Sequence, residues 1–377
     1  MLEFLVLPAF WLYFYLVGLL PGRGRLTRRQ AIVSVASLLI LFLATGIRTT
    51  GFYLAVGLAI VLVGLWLQSA PESRRRRLVR GLAVAAVVAL IALYLGFRVY
   101  FQKYFEGLPS LSYLGFRGIA FLVTASTAGG VTLASGFAEM FFLPMVFLGP
   151  IARVENFQEE HHDLVGVLKR LAMGLPMLIA AKLIEPYVLE RLLDIGGVPV
   201  WKYWLGAVAN SFQFYFTFAG YSHLVIGLGL LAGFRLPENF NNPYIARSIG
   251  DFWRRWHMSL SFWIRDYVYI PLGGNRRGLA RKCVHLLVAM GVCGLWHGLE
   301  LHYLLWGLWH GALLAIESVF KDRGWHPLER LLGAAYAPVK VVLIFGLVTF
   351  GWLLFKYPMP DFFAYMGGLI PWIAQRS

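Results

Sequence analysis

Gly51-Phe-Tyr-Leu-Ala-Val-Gly-Leu-Ala-Ile-Val-Leu-Val-Gly-Leu-Trp-Leu-Gln-Ser-Ala70 runs for twenty residues without a charged side chain. As a helix it would measure about 30 Å, the thickness of a bilayer's hydrocarbon core. Arg48 precedes it, and Arg74, Arg75, Arg76, Arg77 and Arg80 follow. An apolar run between basic clusters is the pattern of a membrane span with its flanking loops. The whole chain has this character: 59% of its 377 residues are hydrophobic and 14% are charged, against a usual charged share of about 25%. A soluble domain so composed could not cover its surface with charge, so that class is excluded. The roughly 222 apolar residues that follow from this share suffice for about ten or eleven spans of roughly 20 residues each.

Further apolar stretches lie near 3–20, 31–46, 81–101, 113–133, 137–150, 165–190, 201–233, 283–299, 301–319 and 337–356. The stretch 137–150 is short, contains Pro144 and Pro150, and is expected to be re-entrant. Residues 3–20 lack a basic leader and a small-residue cleavage site, and Arg23, Arg25, Arg28 and Arg29 follow; the expectation is a retained first span. Loop charge orients the chain. The first connection is strongly basic, the second holds only Arg48, and the third carries the Arg74–Arg80 cluster, so the N-terminus is expected outside and the first and third connections in the cytoplasm. No solenoid repeat and no paired broken helices are visible. One polytopic membrane domain is expected over 1–377: N-terminal spans in 1–133, a core in 137–319, and a C-terminal span and tail in 337–377.

The net charge of +15 is accounted for by these clusters and does not indicate nucleic acid. Cys283 and Cys293 lack CxxC spacing, so neither a redox motif nor a zinc ribbon is supported. Residues 234–282 hold nine basic side chains against Glu238, Asp251 and Asp266, which predicts a cytoplasmic segment. Ser248 and Asp251 have capping-box spacing. A helix starting there would place Phe252, Trp256, Ser259 and Trp263 near one face, and Arg254, Met258, Ser261 and Arg265 near another, as in a helix lying in the inner interface.

Of nine histidines, His297 and His310 are unusual, each within Leu-Trp-His-Gly in an apolar run. An ionisable group at membrane depth is costly and marks a functional site or a polar cavity; a neutral imidazole bonded to a carbonyl is the plainer alternative. His161, His162 and His326 lie outside such runs. His297 and His302 are five apart, off one helix face, and no HExxH pattern occurs, so no metal site is expected. Cys293 and His297 are four apart and share a face, which permits a nucleophile pair, although a buried cysteine is usually an inert hydrophobe. Glu300, three residues past His297, is either its orienting carboxylate or the end of the span. His257 belongs to the cytoplasmic segment. Arg276 and Arg277 suit a positive-inside turn, or contact with an acidic carrier or an anionic headgroup.

The string Phe240-Asn-Asn-Pro-Tyr-Ile-Ala-Arg-Ser-Ile-Gly-Asp-Phe-Trp-Arg-Arg-Trp-His-Met-Ser-Leu-Ser-Phe-Trp-Ile-Arg-Asp-Tyr-Val-Tyr-Ile-Pro-Leu-Gly-Gly-Asn275, followed by Gly294-Leu-Trp-His-Gly298 and Leu305-Trp-Gly-Leu-Trp-His-Gly311, closely resembles the bacterial branch of the membrane-bound O-acyltransferase (MBOAT) family. Gly149-Pro-Ile-Ala-Arg153 and Phe218-Ala-Gly-Tyr-Ser222 add to the resemblance. It implies an all-α integral membrane protein, with a ring of tilted helices around a funnel. It further implies catalytic roles for His297 and His257, and donor or substrate contacts for Trp256, Arg254, Ser261, Arg265, Asp266, Asn275, Trp296 and His310. No covalently bound cofactor is implied; the donor is an acyl thioester on a phosphopantetheine carrier protein or CoA. The acceptor is an envelope polymer or an extracytoplasmic transferase, and the setting is the lipid of a bacterial plasma membrane.

Two sub-branches compete. Phe-Ala-Gly-Tyr-Ser and Trp-His-Met-Ser-Leu-Ser-Phe-Trp look like the D-alanyl transfer proteins of the teichoic-acid pathway, whereas Ile-Pro-Leu-Gly-Gly-Asn looks like the alginate and peptidoglycan O-acetylation proteins. Thr217 and His223 depart from the second group, where aspartate often stands, as does the short stretch after 337–356. The alternatives to an enzyme are a transporter and a docking scaffold. A proton path usually needs several intramembrane carboxylates, and Glu139, Glu185 and Glu300 are the few candidates.

The orientation is checked by single cysteines in a variant lacking Cys283 and Cys293. Arg76→Cys should resist an impermeant thiol reagent added to sealed cells; ready labelling reverses the assignment.

Overall fold

The computed structural model describes residues 25–71, 111–142, 144–157, 163–185, 199–325 and 336–369. The stretches 3–20 and 81–101, the Arg74–Arg80 cluster, and His161, His162 and His326 lie outside the described residues. Among those described, the extended elements are helices: α1 (Arg25–Ser69), α2 (Leu111–Thr127), α3 (Leu133–Phe141), α4 (Pro144–Phe147), α5 (Leu164–Ile184), α6 (Val200–Leu231), α7 (Ile249–Trp253), α8 (Met258–Ile264), α9 (Leu279–His297), α10 (Leu301–Asp322), α11 (Tyr336–Lys356) and α12 (Met359–Leu369). Among the described residues, seven segments are long and apolar enough to cross a membrane: Leu26–Leu43 and Gly46–Ser69 within α1, then α5, α6, α9, α10 and α11. The chain is an all-α, multi-pass membrane protein.

The expected spans near 31–46 and 51–70 are one element. The 45 residues of α1 would extend about 68 Å if straight, more than twice the hydrocarbon core. Gly46 breaks it at φ +81°, a conformation that L side chains rarely adopt. Near 137–150 two short pieces replace a span. Thr132 caps α3 in a reciprocal box with Ser135, the chain leaves the helix at Phe142, and α4 begins on Pro144.

Two compact units emerge, Met1–Gly174 with Tyr221–Glu238, and Leu175–Gly220 with Asn239–Ser377. In the first, Leu41, Tyr53, Val61, Leu114, Phe121, Met140 and Phe141 form a core between α1, α2 and α3. Arg117 is buried among them, its Nη1 donating to the Glu139 carbonyl at 2.9 Å and its Nε to the Tyr113 carbonyl at 3.3 Å. Burial, with the charge of Glu155 adding to it, pushes the Glu139 carboxyl well above the usual carboxylate range, against the opposing pull of Arg117 and Arg153. In the same unit the Arg170 guanidinium grips both Glu238 oxygens and donates to His223 Nδ1 at 3.0 Å.

The second unit is built on the hairpin of α9 and α10. A Cβ on Gly307 would lie 2.2 Å from the Met290 carbonyl oxygen, and one on Gly294 would lie 2.3 Å from that of Tyr303. The two backbones therefore touch, the small-residue packing that brings membrane helices closest. Beside the hairpin, Trp309 Nε1 donates to the Leu347 carbonyl at 3.0 Å, and Ser211 Oγ meets Thr349 Oγ1 at 3.0 Å, tying α10 and α6 to α11. Helix α12 was not anticipated from the sequence; Tyr365 bonds the Tyr203 carbonyl and packs edge-on to its ring.

Gly307→Ala should lower thermal stability in detergent by about 1–3 kcal/mol, the usual range for overpacking. Gly346→Ala, in the interior of α11 where an added Cβ meets nothing within 4 Å, should not lower it and should raise it by up to about 1 kcal/mol.

Candidate active site

Helix α9 ends on His297, and α10 starts three residues later with Glu300 at its N-cap. Because the hairpin closes on glycine, the aromatic residues beside Gly294 and Gly307 are brought together. His297 is half-buried, with its ring 4.3 Å from Trp296, 4.8 Å from Phe355 and 5.2 Å from Trp306, centroid to centroid. Trp306 also lies 5.3 Å from His310, so one indole stands between the two Leu-Trp-His-Gly histidines. His310 is fully buried, stacked at 13° on Phe252 and edge-on to Trp253.

The segment holding His257 corrects the expected continuous interfacial helix. Helix α7 stops at Trp253, His257 takes a left-handed conformation with φ +40°, and α8 starts at Met258. The cause is Asn239. Its carbonyl accepts the Met258 N–H at 2.9 Å and its Oδ1 the Ser259 N–H at 3.4 Å, so the new helix has its first amides satisfied from outside the segment. Ser248 does cap α7, accepting from the Asp251 amide, while the Asp251 carboxylate accepts from the Arg247 amide. Hydrogen bonds from that amide and from Arg255 outweigh desolvation and hold the carboxyl below its usual range. The expected division of faces survives the break: Phe252, Trp256, Ser259 and Trp263 are buried, and Arg254 and Arg265 are exposed.

His257 is not at an open interface, being only 2% exposed. Its Nδ1 lies 3.0 Å from Asn239 Oδ1, Phe218 meets its ring edge-on at 4.5 Å, and Trp296 is 6.2 Å away. Burial, together with the nearby His297, pushes its imidazole well below the usual histidine range. Trp296 therefore neighbours both histidines.

The other predicted contacts divide. Trp256 joins this aromatic wall, 4.6 Å from Trp352 and stacked with Tyr244 and Phe252. Ser261 donates to the Trp256 carbonyl. Arg254 is paired with Asp251, Arg265 with Asp266, and Asn275 accepts from the Tyr269 hydroxyl. Those three lie at the surface and none is a ring neighbour of the histidines. Cys293 is buried one turn before His297. Among the described residues, no three His, Cys, Asp or Glu side chains gather as metal ligands would.

Asn239, Tyr303, Trp352 and Phe355 were missed by sequence reasoning, since nothing in their own neighbourhood marks them; Phe218 and Trp306 were signalled only by their places in the family-like strings. The indole N–H groups of Trp253 and Trp306, both ring nitrogens of His310 and Nε2 of His257 are buried without hydrogen-bond partners. An unmet buried donor costs about 1–3 kcal/mol, so these groups are held at a cost to stability.

Residues 133–357 match the family model of MBOAT, the membrane-bound O-acyltransferase family. The chain is 36% identical over 256 residues to the probable alginate O-acetylase AlgI of Pseudomonas aeruginosa, covering 65% of this chain and 48% of that protein. It is 30% identical over 228 residues to the peptidoglycan O-acetyltransferase of Helicobacter pylori, with 57% and 42% covered. To the teichoic acid D-alanyltransferase of Bacillus subtilis it is 31% identical over 273 residues, with 65% and 68% covered. The chain thus spans about half the length of the alginate relatives it matches. With 225 of its 377 residues, 133–357, inside the family model, and with the histidine strings within that region, the chain belongs to the membrane-bound O-acyltransferase family.

Proposed function

We propose that this protein transfers a small acyl group, acetyl or D-alanyl, from a thioester donor on the cytoplasmic side to a hydroxyl of an envelope polymer or partner protein. The setting is the bacterial plasma membrane, with the N-terminus outside. The observation that carries this reading is the meeting of His257 and His297 at one indole, Trp296, in a chain of this family. The named activities of its relatives, O-acetylation and D-alanylation of envelope polymers, fit the same chemistry.

A hydroxyl is a poor nucleophile at neutral pH. His297, at the end of its span, takes the hydroxyl proton as the oxygen attacks the thioester carbonyl, a step typically worth about 10²–10⁴ in rate. The C–O bond forms, the C–S bond breaks, and the proton leaves with the sulfur. The aromatic walls exclude water, which would otherwise compete as acceptor. The exposed Arg276, Arg277 and Arg281 provide a basic approach for an anionic donor. A proton-conducting role has less support, because Glu185 and Glu300 are exposed and only Glu139 of the three carboxylates is buried.

Reconstituted His297→Ala and His297→Gln proteins should bind the donor, offered as acetyl-CoA or as a D-alanyl carrier protein, while transfer collapses by about 10²-fold or more. Near-wild-type transfer by well-folded His297→Ala rejects the mechanism. A thioester is already activated, so a second covalent intermediate is unnecessary. Cys293→Ala should therefore keep most of the activity, and trapping of an acyl group on Cys293 would revive the Cys-His pair.

A further inference from the structure

Asn239 precedes the long family-like string and was not among the expected site residues. It is buried, and its side chain serves both the turn at His257 and the start of α8. The Ser259 amide, at 3.4 Å from Oδ1, can only donate, and the Ser259 hydroxyl lies 2.8 Å from the same atom. The amide contact places the amide oxygen, not the NH2, toward His257, and the hydroxyl can donate to that oxygen. An oxygen at 3.0 Å from Nδ1 requires a proton on that nitrogen, because two acceptors would repel. In a neutral imidazole the other nitrogen is then bare. That nitrogen, Nε2, is buried without a hydrogen-bond partner. The left-handed backbone at His257 is uncommon for a non-glycine residue. It is held by the Met258 bond to the Asn239 carbonyl.

We propose that Asn239 is a positioning residue that fixes His257 in the Nδ1–H tautomer, so that His257 meets the reactants only as a hydrogen-bond and proton acceptor. His257 in this state cannot donate to an oxyanion. This deepens the acyl-transfer reading and rests on it for its catalytic consequence. The proton leaving the acceptor hydroxyl has two imidazoles to receive it, at His297 and at Nε2 of His257, and it leaves the pair with the thiol when the C–S bond breaks. Among the described residues, the groups facing His257 are Asn239 and Ser259, the rings of Phe218 and Trp296, and His297, the ionisable group that acts on it electrostatically.

The test combines nitrogen NMR of histidine-labelled protein in lipid with transfer kinetics, the His257 signals being assigned by their loss in His257→Gln. Wild-type protein should show a protonated Nδ1 and a bare Nε2. In Asn239→Ala the two tautomers should mix, and kcat should fall by about 10- to 100-fold, the usual cost of losing an orienting partner, with carrier binding unchanged. Asn239→Asp keeps the oxygen and adds a negative charge that favours the imidazolium. A base must be neutral to work, so the acid limb of the pH–rate profile should move upward by about one unit or more.

A wild-type His257 spectrum in Asn239→Ala overturns the proposal. If that variant fails to fold, an unmoved acid limb in the near-isosteric Asn239→Asp does the same. Should the wild-type protein transfer neither acetyl nor D-alanyl groups, the acyl-transfer reading falls while the spectra still decide the role of Asn239.

Discussion

The contact on which the second unit depends is between backbones: α9 and α10 meet where Gly294 and Gly307 leave no side chain between them. With lipid outside, burying apolar side chains gives helices little reason to associate, and close packing must supply the attraction. The same closeness sets the chemistry. Trp296 and His297 leave one helix, and Tyr303 and Trp306 leave the other, at the height where the backbones touch, so their rings lie 4.3 to 6.3 Å from that of His297. Wider helices would separate them. Gly351 repeats the device on α11, where an added Cβ would come within 2.8 Å of His310 Nε2.

Much of this was legible in the sequence. Apolar runs gave the described spans at 26–69, 164–184, 200–231, 279–297, 301–322 and 336–356 within a few residues, because hydrocarbon thickness fixes span length and lipid forces the backbone to bond within each helix. The expected span near 113–133 is a shorter helix. His297 and His310 stood out because an imidazole in such a run is expensive. The segment 248–265 shows what periodicity cannot reveal. Its pattern of burial was readable, yet the break at His257 is imposed by Asn239, eighteen residues earlier, through bonds to amides that a continuous helix would have satisfied itself. No local propensity signals a cap supplied from outside. The site walls were hidden for the same reason: Trp352 and Phe355 arrive from another helix and were indistinguishable in sequence from lipid-facing neighbours.

The two kinds of polar residue in this chain are handled differently. At the surface, Arg254, Arg255 and Arg265 pair with Asp251 and Asp266 at little gain, since such pairs remain solvated. Inside, Arg117 and the histidines are held by carbonyls, amides and rings. Leaving any of these groups unmatched is costly, which makes their partners more specific than their own identities. A histidine beside an asparagine oxygen and one among four aromatic rings are chemically different reagents.

Gly46 carries a consequence for how this chain tolerates change in length. It opens the second of two spans, Leu26–Leu43 and Gly46–Ser69, that have two residues between them instead of a loop. Loops ordinarily absorb insertions at small entropic cost, and reporters, protease sites and fused domains are accepted there. At Gly46 there is no slack to absorb them. An added residue would rotate everything beyond it by about 100° about the helix axis, turning the face that meets α2 and α3 toward lipid. The junction is therefore constrained in length as well as in residue type.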